Sequence, residues 1–130
     1  MDVSIVSPEA EVWRGEAEMV VARSPEGEFA ILRGHIPFLA ALVPGLVKIH
    51  LAGGAVERFL VTGGVLEASG SLSDYHVIVL ADDAEPVGEI SEQEVAERID
   101  EARQRVMART DEVAEAEMRA SLARPELGRD

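Results

Sequence analysis

The feature that most constrains this chain is a change of pattern between residues 88 and 89. Before it, apolar residues come in runs of four to six: "VSIV" (3–6), "AEVW" (10–13), "EMVVA" (18–22), "FAIL" (29–32), "LVKIHL" (46–51), "ERFLV" (57–61), "VLEAS" (65–69) and "HVIVLA" (76–81). Valine and isoleucine dominate them, and β-branched side chains favour extended backbone. Ser-Pro, Pro-Glu-Gly, Gly-Gly and Gly-Ser separate the runs. Short strands between such turn signals predict a β-sandwich or barrel. "VKIHL" alternates, with Val47, Ile49 and Leu51 on one face and Lys48 and His50 on the other. "AGGA" (52–55) predicts the tip of a hairpin. Of the 11 glycines, only Gly128 lies beyond residue 88.

After residue 88 the period becomes helical. Ser91 followed by Glu94 is a capping box. Val95, Ile99, Ala102 and Val106 form one apolar stripe, and Ala114, Met118 and Leu122 a thinner one ended by Pro125. The chain therefore divides into a β-sandwich over 1–88 and a helical domain of two helices over 89–130. The joint near Arg109-Thr110 holds neither glycine nor proline, so it suits a turn between antiparallel helices or a mild irregularity in one long helix. The stripes are rich in alanine and valine, which bury little area, so the helical part is expected to dock weakly.

Composition narrows the function. The net charge of −13 and the 4% aromatic content argue against a nucleic-acid partner, since phosphates repel such a surface and base-stacking rings are scarce. There is no cysteine, which removes thiolate nucleophiles and cysteine zinc sites. "MDVSIVSPEA" lacks the pattern of a signal peptide, and no apolar run reaches the roughly 20 residues of a membrane span. His35, His50 and His76 are dispersed, without metal-ligand spacing, and His76 reads as a packing residue. There is no P-loop, and the glycines of "TGGVLEASG" (62–70) enter a strand rather than a helix. "ADDAE" (81–85) reads as a solvated turn in preference to a cation site. No convergent catalytic set and no metal site emerges. The segment "ILRGHIPFLAALVPGLV" (31–47) fits neither period. It reads as an irregular apolar loop that covers either the end of its own sandwich or a partner.

Three motifs occur in order: "EGEFAILRGHIPFLAAL" (26–42), "VTGGVLEAS" (61–69) and "VIVLADDAE" (77–85). With "SPEAEVWRGEAEMVVARSPEGEF" (7–29) before them and an acidic helical tail behind, they resemble the epsilon subunit of bacterial F-type ATP synthase across essentially all of 1–88. That resemblance implies a flattened β-sandwich of about ten strands followed by a C-terminal helical hairpin. It implies a non-catalytic rotor subunit of a proton-translocating complex, peripheral to the bacterial plasma membrane on its cytoplasmic side, with no cofactor of its own. The sandwich would grip the gamma subunit and rest on polar loops of the c-ring. Glu28 and the segment Arg33, Gly34, His35, Ile36, Pro37 and Phe38 would form that interface. The family usually carries proline where this chain has Arg33, which frees one φ angle and adds a positive charge.

Many bacterial members also bind ATP through Ile/Leu-Asp-x-x-Arg-Ala on the first helix. The corresponding register here reads Ile90-Ser91-Glu92-Gln93-Glu94-Val95, without the Asp, Arg and Ala. "IDEARQ" (99–104) fits better but lies nine residues on, about 13 Å along a helix. Glu85, Ile90 and Glu94 remain as candidate nucleotide contacts of an alternative, ATP-sensing module. In the family an extended tail reaches the alpha and beta subunits and blocks hydrolysis, helped by arginines on the second helix. Residues 111–122 carry one arginine, Arg119, against four acidic residues, so inhibition through the tail is expected to be weak.

Overall fold

A computed structural model describes residues 1–34 and 36–123. Ten strands precede one helix: β1 (Asp2–Val6), β2 (Glu11–Glu16), β3 (Met19–Ser24), β4 (Gly27–Leu32), β5 (Phe38–Leu42), β6 (Gly45–His50), β7 (Val56–Val61), β8 (Gly64–Ser71), β9 (Asp74–Ala81), β10 (Ala84–Val87) and α1 (Glu92–Ala123). They build two five-stranded sheets, in the orders β2-β1-β9-β8-β5 and β10-β7-β6-β3-β4. All pairings are antiparallel except β1 with β9, which run parallel from Asp2 opposite His76 to Val6 opposite Leu80. The sandwich expected from the short apolar runs is present.

One face of each sheet makes the core. Val3, Ile5, Leu66, Ala68, Tyr75, Val77 and Val79 of the first sheet meet Val20, Ala22, Ile31, Val47, Ile49, Phe59 and Val61 of the second. The alternation read in "VKIHL" holds, with Val47 and Ile49 buried and Lys48 and His50 half-buried. The reading of His76 does not hold. The buried residues of β9 are Tyr75, Val77, Val79 and Ala81, so His76 stands on the outer face, 3.2 Å from the Ser69 hydroxyl. The period was right and the phase was inverted, because both faces of "HVIVLA" are apolar.

The chain changes sheet five times. Four of these crossings use two residues: Ala17-Glu18, Val43-Pro44, Thr62-Gly63 and Asp82-Asp83. Three Cα steps cover about 11 Å, close to the roughly 10 Å between packed sheets, so such a crossing has no slack. Two of them hold each other. Thr62 N–H donates to the Asp83 carbonyl at 3.1 Å, and Asp82 N–H to the Gly63 carbonyl at 3.0 Å. This makes "ADDAE" a sheet crossing with two exposed aspartates.

Two strands are additional to the eight read from the apolar runs. β5 lies in the segment read as irregular, and it pairs with β8 along its whole length. β10 contains Pro86, and it is tolerated because β10 is an edge strand that needs to offer its N–H groups on one side only. The helical part also differs from the expected hairpin. α1 is one continuous helix of 32 residues, passing through Arg109-Thr110 without a turn. No glycine or proline lies between residues 92 and 123, and alanine, glutamate and arginine are good helix formers. The capping box is realised on its serine side, where the Ser91 hydroxyl accepts the Glu94 N–H at 3.1 Å. The side chains of the second stripe (Ala114, Met118, Leu122) and of Val106 lie outside the described residues, as does Pro125.

Helix α1 covers the outer face of the second sheet. Ala102 is fully buried and Leu60 nearly so, and neither belongs to the sandwich core. Val95 and Ile99 lie over Leu46, but a cleft of about 360 Å³ remains between helix and sheet. Three cations line it, Arg23, Lys48 and Arg58, with Glu28 and Glu92. None of the three has a carboxylate within 4.0 Å among the described residues.

Two predictions follow from this packing. Gly64 has φ +140°, and a Cβ there would sit on the Leu80 carbonyl oxygen. Gly64→Ala should cost about 2–4 kcal/mol, against about 1 kcal/mol for Gly53→Ala, whose φ is +88° but which faces open space. Urea denaturation followed by the single tryptophan, Trp13, measures both. Ala102→Glu should release the helix and spare the sandwich: hydrogen exchange should show α1 amides losing protection while β1, β6 and β9 keep theirs.

Candidate functional site

The fifth crossing is the long one. β4 ends at Leu32 in the second sheet and β5 begins at Phe38 in the first, leaving residues 33–37 to pass between them. Their slack is taken up by three contacts. Phe29 of β4 and Phe38 of β5 meet across the sheets as tilted rings, with centroids 5.2 Å apart and planes at 56°, a contact worth about 0.5–1.5 kcal/mol beyond area burial. The Tyr75 hydroxyl donates to the Ile36 carbonyl at 3.3 Å, across 39 residues of sequence. Gly34, at φ +80°, lies under Leu72 of the β8–β9 turn, whose Cδ1 would be 2.7 Å from a Cβ at that position.

The segment is held but outward-facing. Ile36 is 73% exposed, Leu72 70% and Leu39 69%, large values for aliphatic side chains. The apolar surface continues down the outer face of the first sheet. Ala41 stands opposite Val65, Val65 opposite Leu80, and Leu80 opposite Val6. Val65 and Leu80 are exposed as well. A shallow hollow lined by Pro37, Phe38, Leu39, Glu67, Ala68 and Ser69 lies along the β5 edge. The sequence carried a signal for this surface that the motif reading passed over: apolar residues at the outward phase of strands that already had a buried face.

The residues proposed from the resemblance fall into separate places. Arg33, Gly34, Ile36, Pro37 and Phe38 lie together at the long crossing. His35 lies outside the described residues. Glu28 does not join them. It stands at the other end of β4, five residues or about 17 Å along a strand from Arg33, and it lines the cleft beneath α1. Glu85 and Glu94 do come together, because Arg98 contacts both carboxylates, at 3.5 Å and 3.2 Å. Ile90 lies apart from that pair, in the cleft with Arg23 and Lys48. Among the described residues no group of His, Asp and Glu is placed to hold a metal ion.

Among the described residues the outer face of the first sheet is an exposed apolar surface, of the kind that marks a contact with another chain. Residues 1–87 match the family model described as the ATP synthase delta/epsilon chain, beta-sandwich domain. An ATP synthase epsilon chain from Thermobifida fusca is 43% identical over 94% of this chain and 84% of its own length. One from Janthinobacterium sp. (strain Marseille) is 36% identical over 95% of this chain and 86% of its own. A chain of the Euglena gracilis mitochondrial ATP synthase shares the fold at a TM-score of 0.61 and 23% identity, over 78% of this chain and 62% of that one. The protein belongs to the ATP synthase epsilon chain family.

Burial raises the Tyr75 phenol above its ordinary pKa of 10.0. The unfolded chain therefore loses this proton first as pH rises. The stabilising contribution of the neutral phenol is complete below pH 10 and is lost as pH climbs towards the folded value. The urea midpoint of the native protein should fall more steeply above pH 10 than that of Tyr75→Phe. Because the chain has one tyrosine, the difference between the two curves isolates this group.

Proposed function

We propose that this chain is a central-stalk subunit of an ATP synthase, non-catalytic in itself. It couples ion flow through the c-ring to rotation of the gamma subunit and to ATP synthesis in the catalytic head. The observation that carries this reading is the length of the family match. Relatives named as epsilon chains align over more than nine-tenths of the chain, sandwich and helix together. A Tetrahymena thermophila chain of the same fold comes from a structure of the mitochondrial central stalk and c-ring, which is the setting proposed here.

Within that reading, the long crossing and the apolar face of the first sheet serve as the grip on gamma and the ring. A rigid, clamped segment suits a part through which torque passes, since a loose one would dissipate it. No helix among the described residues is long and apolar enough to cross a membrane. The proposed place is peripheral, held through the complex at the cytoplasmic face of the bacterial plasma membrane. The ATP-sensing alternative gains no support. Arg98 is already engaged by Glu85 and Glu94, so two carboxylates stand where that reading puts contacts to an anionic nucleotide.

The test is the ATPase rate of a purified alpha–beta–gamma head with the full chain and with a chain ended at Gly88. Both should bind gamma, because every residue of the core cluster lies at or before Ala81. The two rates should agree within about two-fold, since residues 111–122 carry one arginine against four acidic residues and have little to hold acidic surfaces of the head. Loss of gamma binding by both chains would overturn the stalk assignment. Suppression by the full chain alone would make α1 an inhibitor.

A further inference from the structure

The cleft beneath α1 has no role in the reading above, and its charges do not balance. Lys48 of β6 and Arg58 of β7 stand directly opposite each other in register, and both line the cleft half-buried. Like charges so placed, with Cβ atoms about 5 Å apart, destabilise a sheet. Arg23 shares the same outer face, two residues on from Val21, which is paired with Lys48. The carboxylates of the cleft do not answer this repulsion. Glu28 stands opposite Arg23 in the β3–β4 register and offsets that cation. Glu92 lies in the first turn of α1 and is exposed. Among the described residues no carboxylate comes within 4.0 Å of Lys48 or Arg58. Arg58 donates through one guanidinium nitrogen to the Val56 carbonyl at 3.4 Å, a long bond that leaves most of its five N–H groups for another acceptor.

We propose that Lys48 and Arg58 form a binding site for a small phosphate-bearing anion, enclosed between the second sheet and α1. A phosphate group between the two cations would turn their repulsion into two attractions. The guanidinium offers paired N–H groups and the ammonium a point charge, the two standard ways of holding phosphate oxygens. Partial burial beneath the helix keeps salt from screening these contacts fully. The volume of about 360 Å³ is that of a small-molecule site, and Ile90, Val95 and Ile99 make one side of it apolar. The ligand is therefore free phosphate with water beside it, or a phosphate monoester whose apolar body lies against those side chains. The site is built on strand residues. Of the three candidate nucleotide contacts only Ile90 borders it, Glu85 and Glu94 being engaged by Arg98.

The experiment uses the full chain at constant ionic strength, held with sodium chloride, and follows amide chemical shifts as inorganic phosphate or phenyl phosphate is added. Saturable shifts are expected at Lys48, Arg58 and residues 90–95. Lys48→Gln and Arg58→Gln should each weaken binding roughly ten-fold, the loss of one charged hydrogen-bonding group. Neither should lower the melting temperature in phosphate-free buffer, because each removes one member of a repelling pair. Arg14→Gln, an exposed cation outside the cleft, should bind as the native chain does. Tighter binding of phenyl phosphate makes the ligand an ester, and equal or weaker binding makes it free phosphate. Shifts that never saturate, or affinities unchanged in both cleft variants, would overturn the site. An equal loss in Arg14→Gln would reduce it to general charge attraction and overturn it as well. The stalk reading rests on the family match and stands under every one of these results.

Discussion

The structure depends on how little chain is spent between its two sheets. Four of the five crossings have two residues, about the length needed to reach from one sheet to the other. A crossing this short fixes the register of the strands on both sides, because a slip of one residue would turn the buried face outward. Valine and isoleucine can then be placed by period alone, and the interdigitated core follows from the crossings as much as from hydrophobicity. The fifth crossing is the exception. Five residues span the same gap, and their slack is absorbed by Phe29 against Phe38, Tyr75 on Ile36 and Leu72 over Gly34. Freed from spacing the sheets, this crossing can present side chains to a partner.

The helix obeys a different balance. Among the described residues it adds none to the sandwich core, and its apolar contact is carried by Ala102, Val95, Ile99 and the leucines of the sheet beneath. The Arg98 pairs with Glu85 and Glu94 are partly exposed and contribute about 0–1 kcal/mol each. Among the described residues, sandwich and helix therefore share little apolar contact. The charge on the sheet face reinforces the point. Three of the five basic residues before residue 89 lie under the acidic first turn of α1, an attraction that salt screens.

Much of the sandwich was legible because its strands have one apolar face and sharp turn residues. Legibility failed where the two faces were chemically alike. In "FLAAL" the outward Leu39 and Ala41 are as apolar as the inward Phe38, Ala40 and Leu42, so the period of two vanished and β5 read as irregular. The same likeness inverted His76. β10 was hidden by Pro86, since an edge position is a property of the sheet and not of the local sequence. The two stripes leave a hairpin and one long helix equally open, and it is the resemblance that implies the hairpin. With no breaker between them, local propensity extends one helix. Of the candidate surface, residues 33–38 were legible as a motif. Val65 and Leu80 were signalled only by their outward phase on strands that already had a buried face, and Leu72 was not legible, because its place follows from a contact with Gly34, distant in sequence.

The parallel pairing of β1 with β9 has a consequence for how the protein is made. β1 lies between β2 and β9, so one of its edges stays open until residues 74–81 exist. On the ribosome, at about 5–20 residues per second, the β1–β2 hairpin emerges early and waits for several seconds with an unpaired edge of alternating valine and isoleucine. Closure by β9 comes almost last, which concentrates the contacts of longest sequence separation at the end of folding. For that interval the open edge is exposed to wrong pairing, and the order of the strands fixes how long it stays so.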